Sequence, residues 1–359
     1  MMRYALWFSP ALFFILTYYI LSLKHAVFAE SSFIAERYPL MRKIAVCVPY
    51  VPGRYDSNIN AAAAELGFAV DYYDTAESLS ANIDEYEILY GDVGPDIIRN
   101  AANLRWVCSP NAGVEKYQPE DAMPKGCMLS NSSGAYGLAI AEHIIMVLLM
   151  LMRRMPEYQA AMADHTWPCF SPIRSIAGSN ILMLGTGDIG SNTARRLSVL
   201  GATVTGVCRS GKSSEPAFHS VEKISKLDQL LPNADAVILA LPSTPDTIGI
   251  LSRERINAMN SSSFVINVGR GSAIDQDALV EALQAHRVAG AALDVMTPEP
   301  LPADHPLWSC PSTIITPHVS GNDALESTRE TDVSMFLSDL KRYAEGKPLE
   351  YLVNRKAGY

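Results

Sequence analysis

The feature that most constrains this chain is a six-residue turn, GTGDIG at residues 185–190, set between two segments of different periodicity. The run ILMLG at residues 181–185 is short and apolar, as a buried parallel strand is, and SNTARRLSVLG after Gly190 has the apolar spacing of a helix packed on a sheet. ATVTGVC at residues 202–208 supplies a second strand. This strand, turn, helix, strand order predicts the opening of a doubly wound parallel sheet. Gly185 permits the tight turn, Gly187 lets backbone come close to a pyrophosphate, and Gly190 allows close helix–strand packing. Asp188 and Ile189 lie where unpaired helix N–H groups make an anion site, so Gly185, Gly187, Asp188, Ile189 and Gly190 form a candidate dinucleotide cradle.

The end of the second strand bears on which dinucleotide is held. Chains that bind NAD place an acidic residue there, against the ribose hydroxyls. Here the residues are Cys208, Arg209, Ser210, Gly211 and Lys212, with no carboxylate. Arg209, Ser210 and Lys212 suit a 2′-phosphate, because guanidinium forms paired, charge-assisted hydrogen bonds with phosphate oxygens. NADP(H) is the favoured cofactor and NAD(H) the alternative.

Downstream stand Arg270 in NVGRGS, Glu299 in LDVMTPEPLP and His318 in TPHVSG. Hydride transfer to a 2-keto acid needs a cation to bind the carboxylate and polarise the carbonyl, and an acid to protonate the new alkoxide. Arg270 suits the first role through its planar, permanently charged fork. His318 suits the second, since imidazole exchanges protons near neutrality. Glu299 is placed to accept the other ring N–H of His318 and favour its charged form. Taken singly, each residue has an ordinary use as a surface charge, a loop cap or a solvated acid; the combination carries the reading.

With those residues in view, the chain resembles the D-isomer-specific 2-hydroxyacid dehydrogenases. The matching pieces are GTGDIG, LPSTPDT at 241–247, INVGRGSAIDQDALVEAL at 266–283, AGAALDVMTPEPLPADHPLW at 289–308 and TPHVSG at 316–321. CSPNAGVEKY at 108–117 and AIAEH at 139–143 match upstream, so the resemblance runs from Met41 to the C-terminus. It implies that Arg270, Glu299 and His318 are catalytic and that backbone N–H groups around Ala112 and Gly113 hold the substrate carboxylate with Arg270. It also implies cofactor contacts at Pro242, Thr247, Val268, Gly269, Asp294 and Gly321, with Asp294 near the nicotinamide carboxamide. Cys208 departs from the pattern of NAD-using members, which carry Asp there. Glu299 separates the chain from the formate dehydrogenase branch, which has Gln.

Composition sets the outer limits. A chain of 359 residues with 48% hydrophobic content has room for two cores, and a net charge of −9 gives no general attraction to nucleic acid. The six cysteines show no close CxxC pair and no metal-ligand spacing with histidine, so no metal site is expected and the thiols read as reduced and mostly buried.

Residues 5–23, ALWFSPALFFILTYYILSL, are apolar over close to the length needed to cross a bilayer. Three readings stand open: a signal peptide, a membrane anchor, or an extension upstream of the functional protein, since MRKIAVCVPYVPG at Met41 is itself a credible start. Reduced dinucleotide is an intracellular reagent, so catalysis is expected in the cytoplasm, with membrane contact through residues 5–23 open.

The expected architecture is α/β: two Rossmann-like doubly wound domains, the nucleotide-binding one (136–322) inserted into the substrate-binding one (41–135 and 323–359), behind a hydrophobic segment at 1–40. IAVCVPY, FAVDYYD, YEILYGD and LRWVCSP are expected strands of the first part, followed by an MLSNSS turn; AVILALP, FVINVGR, AGAALDV and TIITPH are expected in the second. The apolar stretch LAIAEHIIMVLLMLMRR predicts a buried helix between the parts. By resemblance that helix packs in a homodimer. The sequence reads best as an NADP-dependent reductase of a small 2-keto acid, glyoxylate or hydroxypyruvate in type. The competing reading is a dinucleotide-sensing binding protein, like the corepressors that share this fold.

Overall fold

The computed structural model describes residues 42–355. The apolar segment at 5–23 therefore lies outside the described residues, and among these no helix is long and apolar enough to cross a membrane.

Two parallel sheets organise the chain. The first contains β1 (Arg42–Cys47), β2 (Phe68–Tyr72), β3 (Ile88–Gly91), β4 (Trp106–Ser109) and β5 (Met128–Asn131), in the order β2-β1-β3-β4-β5. The second contains β6 (Asn180–Leu184), β7 (Thr203–Cys208), β8 (Ser220–Lys223), β9 (Ala236–Leu239), β10 (Phe264–Asn267), β11 (Gly290–Leu293) and β12 (Thr313–Ile315). Its order, β12-β11-β10-β9-β6-β7-β8, reverses direction between β6 and β9, and such a switch point opens a crevice at the carboxyl ends of the strands. Strand side chains alternate between faces, so each sheet needs cover on both sides. Ile181 and Met183 of β6 enter one core while Leu182 and Leu184 enter another; Ile44 and Val46 of β1 face one core, Ala45 the opposite one.

Two expectations change here. The MLSNSS segment is not a turn: its first four residues form β5, paired with β4 from Trp106↔Met128 to Ser109↔Asn131. β8 was not foreseen, because SVEK at the sheet edge has no apolar run to announce it. The apolar helix is observed at Gly137–Met152 and buries Ile140, Ile144, Val147, Leu148 and Leu151 against the second sheet. Of the cysteines, Cys108, Cys127 and Cys310 are buried, Cys47 and Cys208 are intermediate, and Cys169 is exposed.

The chain returns to the first sheet at its end. Helix Glu326–Ala344 packs Val333, Phe336 and Leu340 over β1, β3 and β4, and the Phe336 ring stacks on Tyr90 at 4.1 Å and lies 5.7 Å from Trp106. Val353 N–H then donates to Leu129 O at 2.8 Å, tying the last described residues to β5.

Candidate active site

A cleft of about 1620 Å³ is lined by loops from both sheets. On the side of the second sheet, helix Asp188–Val199 begins directly after β6, with Gly187 as its N-cap. The turn needs glycine at both ends for steric reasons. Gly185 has φ +104, and a Cβ there would fall 2.4 Å from Ala240 O; a Cβ on Gly190 would fall 2.0 Å from Gly185 O. Gly187 differs, since a Cβ there meets nothing within 4 Å. Its bare backbone faces open space at a helix N-terminus, which fits a bound pyrophosphate. The Asp188 carboxylate turns away, to Asn192 Nδ2 at 2.8 Å. Burial pushes its carboxyl up, only partly offset by the Gly137 N–H and the Asn192 amide.

Gly185, Gly187, Asp188, Ile189, Gly190, Arg209, Ser210, Pro242, Thr247, Val268, Gly269 and Gly321 all line this cleft, as do Ala112, Gly113, Arg270, Glu299 and His318. Thr247 shapes its segment by donating to Pro242 O at 2.6 Å and accepting from Thr244 N–H at 2.9 Å. Lys212 and Asp294 are not brought to the cleft surface. Lys212 is exposed, and its backbone closes a tight turn: its N–H donates to Ser210 Oγ and its carbonyl accepts from Ser210 Oγ, both at 3.2 Å. The Cys208 thiol lies 3.4 Å from the same hydroxyl. Burial alone would raise that thiol, but hydrogen bonds from Ser210 and its neighbours hold it below the usual range.

Asp294 is only 1% exposed and acts on the backbone. Its oxygens accept from Thr316 Oγ1 at 2.5 Å, Val319 N–H at 2.9 Å and Ser320 N–H at 3.0 Å, and its carbonyl accepts from His318 N–H at 2.9 Å. Burial would raise the carboxyl; these donors outweigh it and hold it below the ordinary range. They also fix the loop in which His318 adopts a left-handed backbone, φ +54, uncommon for a residue with a side chain. His318 Nδ1 lies 2.8 Å from Glu299 Oε2, and Glu299 Oε1 accepts from Met296 N–H at 2.9 Å. With Nδ1 so engaged, Nε2 is left for the cleft.

Arg270 sits on a turn held by the buried Asn267, whose amide donates to Arg270 O at 2.9 Å and accepts from Gly269 N–H at 3.1 Å. Its guanidinium crosses to the first sheet. Nε donates to Glu115 Oε1 at 2.7 Å, and Nη2 lies where a Cβ on Gly113 would be, 2.0 Å away, so a side chain at 113 would displace it. Burial would raise the Glu115 carboxyl, but the hydrogen bond and charge of Arg270 bring it below its usual value. Asn131 Nδ2 donates to Ala112 O at 2.6 Å, turning the Gly113 N–H of that trans peptide to the opposite side. Glu115 and Asn267 are the residues that sequence reasoning missed. Asn267 carried a signal, a polar amide closing the apolar run FVIN two residues before Gly269; Glu115 carried none, being 155 positions from its partner.

A dinucleotide cradle that shares one cleft with a histidine–carboxylate pair and an arginine defines a dinucleotide-dependent oxidoreductase. The comparisons agree. The profile of "D-isomer specific 2-hydroxyacid dehydrogenase, NAD binding domain" matches residues 145–320. The glyoxylate reductase/hydroxypyruvate reductase of Mus musculus is 32% identical over 237 residues, 64% of this chain and 71% of that protein. The D-3-phosphoglycerate dehydrogenase of Archaeoglobus fulgidus is 29% identical over 287 residues; the match takes in 77% of this chain but spans only about half, 53%, of that relative. Among solved structures, an NADPH-dependent glyoxylate/hydroxypyruvate reductase from Sinorhizobium meliloti, in complex with NADP and sulfate, superposes with a TM-score of 0.73 at 26% identity, covering 89% of this chain and 100% of that one. The chain belongs to the D-isomer specific 2-hydroxyacid dehydrogenase family, enzymes that use NAD(P) to oxidise a CH–OH group or reduce a 2-keto acid.

Proposed function

We propose that this enzyme is an NADP-dependent reductase of small 2-keto acids, glyoxylate or hydroxypyruvate in type, acting in the cytoplasm and forming the D-2-hydroxy acid. The observation that carries the reading is the convergence of Arg270 and the His318–Glu299 pair on the cleft that holds the Gly185 to Gly190 turn. When bound, the dinucleotide supplies the hydride. Arg270 and the backbone at Ala112 and Gly113 bind the substrate carboxylate, and Arg270 polarises the carbonyl. His318 gives its Nε2 proton to the developing alkoxide while Glu299 steadies the charged ring through Nδ1. Arg209 and Ser210 receive the 2′-phosphate, a role supported by their place on the cleft wall after β7. Lys212 contributes only general positive charge, and Asp294 acts by shaping the His318 loop.

The two parts are proposed to be 41–135 with 323–359 and, between them, 136–322. A homodimer is proposed through the outer side of helix Gly137–Met152 and the segment after it, supported by the exposure of Met146, Leu149, Met162, Trp167 and Ile173. The deciding experiment is a steady-state screen of glyoxylate, hydroxypyruvate and pyruvate with NADPH and NADH. Faster turnover with NADPH and a D-configured product are expected; equal or faster turnover with NADH, or an L-product, overturns the proposal.

A further inference from the structure

The arginines that line the cleft, Arg209 and Arg270, both come from the side of the second sheet. Among the described residues that line it, the side built by the first sheet includes Asp74, Asp92 and Glu115 and no Lys or Arg. Two of these carboxylates are paired: Lys116 Nζ, from the turn that carries Glu115, lies 2.9 Å from Asp92, and Arg270 of the second sheet pairs with Glu115 at 2.7 Å. Both contacts are already made. Two side chains on this side that could donate to an anion are also engaged. Tyr50 donates its hydroxyl to the buried Asp332, and Asn111 donates to Asp92 at 2.5 Å.

A simple 2-keto acid brings one carboxylate, which Arg270 can hold together with Glu115. The rest of the substrate then extends along the first-sheet side. Val48, Val93 and Tyr50 line this side, so a neutral hydrogen or hydroxymethyl group placed there would incur no electrostatic cost. A second anionic group would meet Asp74, or Asp92 with its Lys116 already engaged, and none of the described residues lining that side is a Lys or Arg that could receive it. Like charges a few ångströms apart in a partly desolvated cleft lose on the order of 10²-fold or more in binding.

We propose that Asp74 and Asp92 make this side of the cleft a charge filter, admitting 2-keto acids whose carboxylate is their only anionic group and rejecting those with a phosphate ester or a distal carboxylate. The inference rests on the 2-keto acid reading of the Arg270 site. Its test is the initial rate of the full chain with NADPH on hydroxypyruvate, 3-phosphohydroxypyruvate and oxaloacetate. Hydroxypyruvate should exceed the other two in kcat/KM by about 10²-fold or more at low ionic strength, with the gap narrowing as salt is added. Asp74→Asn, an exposed change that leaves the fold intact, should recover roughly threefold to tenfold of the kcat/KM for 3-phosphohydroxypyruvate, and Asp92→Asn more. A dianionic substrate used within about threefold of hydroxypyruvate, or a gap that ignores both substitutions and salt, overturns the filter. Titrating the NADP⁺-loaded protein with D-lactate and D-malate reads the same preference without turnover. If no keto acid is reduced, the reaction reading fails, and this arm still decides the filter: D-malate binding as tightly as D-lactate overturns it, weaker D-malate supports it.

Discussion

The turn at residues 185–190 and the loop that carries His318 present polar groups to the same cleft by opposite means. The turn uses backbone alone: glycines at its ends have no room for a side chain, and the one between them faces open space. The His318 loop uses side chains held by other side chains, with Asp294 taking three donors and Glu299 holding the ring. Recognition by backbone is compact in sequence because one turn supplies every group. Side-chain chemistry needs support from whichever elements happen to be neighbours, so its parts are scattered along the chain.

The comparison breaks first, and by the largest effect, at His318. His318→Gln should lower kcat by about 10²–10⁴-fold while NADPH affinity, carried by the backbone turn, stays within about threefold. A matching loss of NADPH affinity would show that the two regions are one unit. The same substitution separates enzyme from dinucleotide sensor, since a sensor has no turnover to lose.

Asp294→Asn sharpens the contrast from the supporting side. An amide cannot accept from three donors at once, so the variant should lose about 1.5–3 kcal/mol of stability at neutral pH. The wild-type carboxyl is held below its ordinary value, so its contribution is present above the unfolded pKa, about 3.9, and is lost as pH falls through the lower folded value. Denaturation of both proteins from pH 7 downward should therefore show the difference shrinking below about pH 4. A difference that is constant with pH would assign the loss to packing.

Arg209→Ala tests the far end of the cradle, where side chains re-enter. It should cost about 1.5 kcal/mol of NADPH binding, roughly tenfold, and leave NADH unchanged, read from KM for each cofactor. Equal losses for both would place Arg209 on the shared diphosphate instead.

The smallest expected effect belongs to Gly187→Ala. With φ at −77 and open space around the added methyl, stability should move by less than about 0.5 kcal/mol. If the pyrophosphate approaches Gly187 as proposed, the methyl should weaken NADPH binding. Gly190→Ala, with its Cβ against Gly185 O, is the contrasting control and should lower Tm clearly. A stable Gly190→Ala would mean that the turn yields more readily than its geometry implies.

What was legible in the sequence follows the same division. The dinucleotide turn, its flanking strand and helix, and the candidate trio could be read directly, because apolar runs and glycines report on their own surroundings. β5 and β8 escaped because four-residue strands rich in Ser, Asn, Glu and Lys have no period to show. The Arg270–Glu115 pair escaped because nothing local to either residue marks the other. Residues 323–359 were expected to belong to the first part, but Asp332 and Asp339 on the buried face of helix Glu326–Ala344 were not foreseen as supports. Asp332 accepts from Tyr50, Tyr90 and Ser132, and Asp339 from the N–H groups of Glu350 and Tyr351. A carboxylate in register with Phe336 and Leu340 was the available signal.

The late return of helix Glu326–Ala344 also decides the order of events on the ribosome. Translation delivers β1 to β5 before the second sheet, with Tyr55, Ile59 and Ala63 covering part of the face that bears Tyr90 and Trp106; the rest of that cover waits for Phe336, and β5 lacks its contact with Val353 until later still. All strands of the second sheet are out of the exit tunnel before then. The first sheet is thus completed after the second, reversing the usual N-to-C progression, and the nascent chain carries Tyr90 and Trp106 without their stacking partner Phe336 through most of its synthesis.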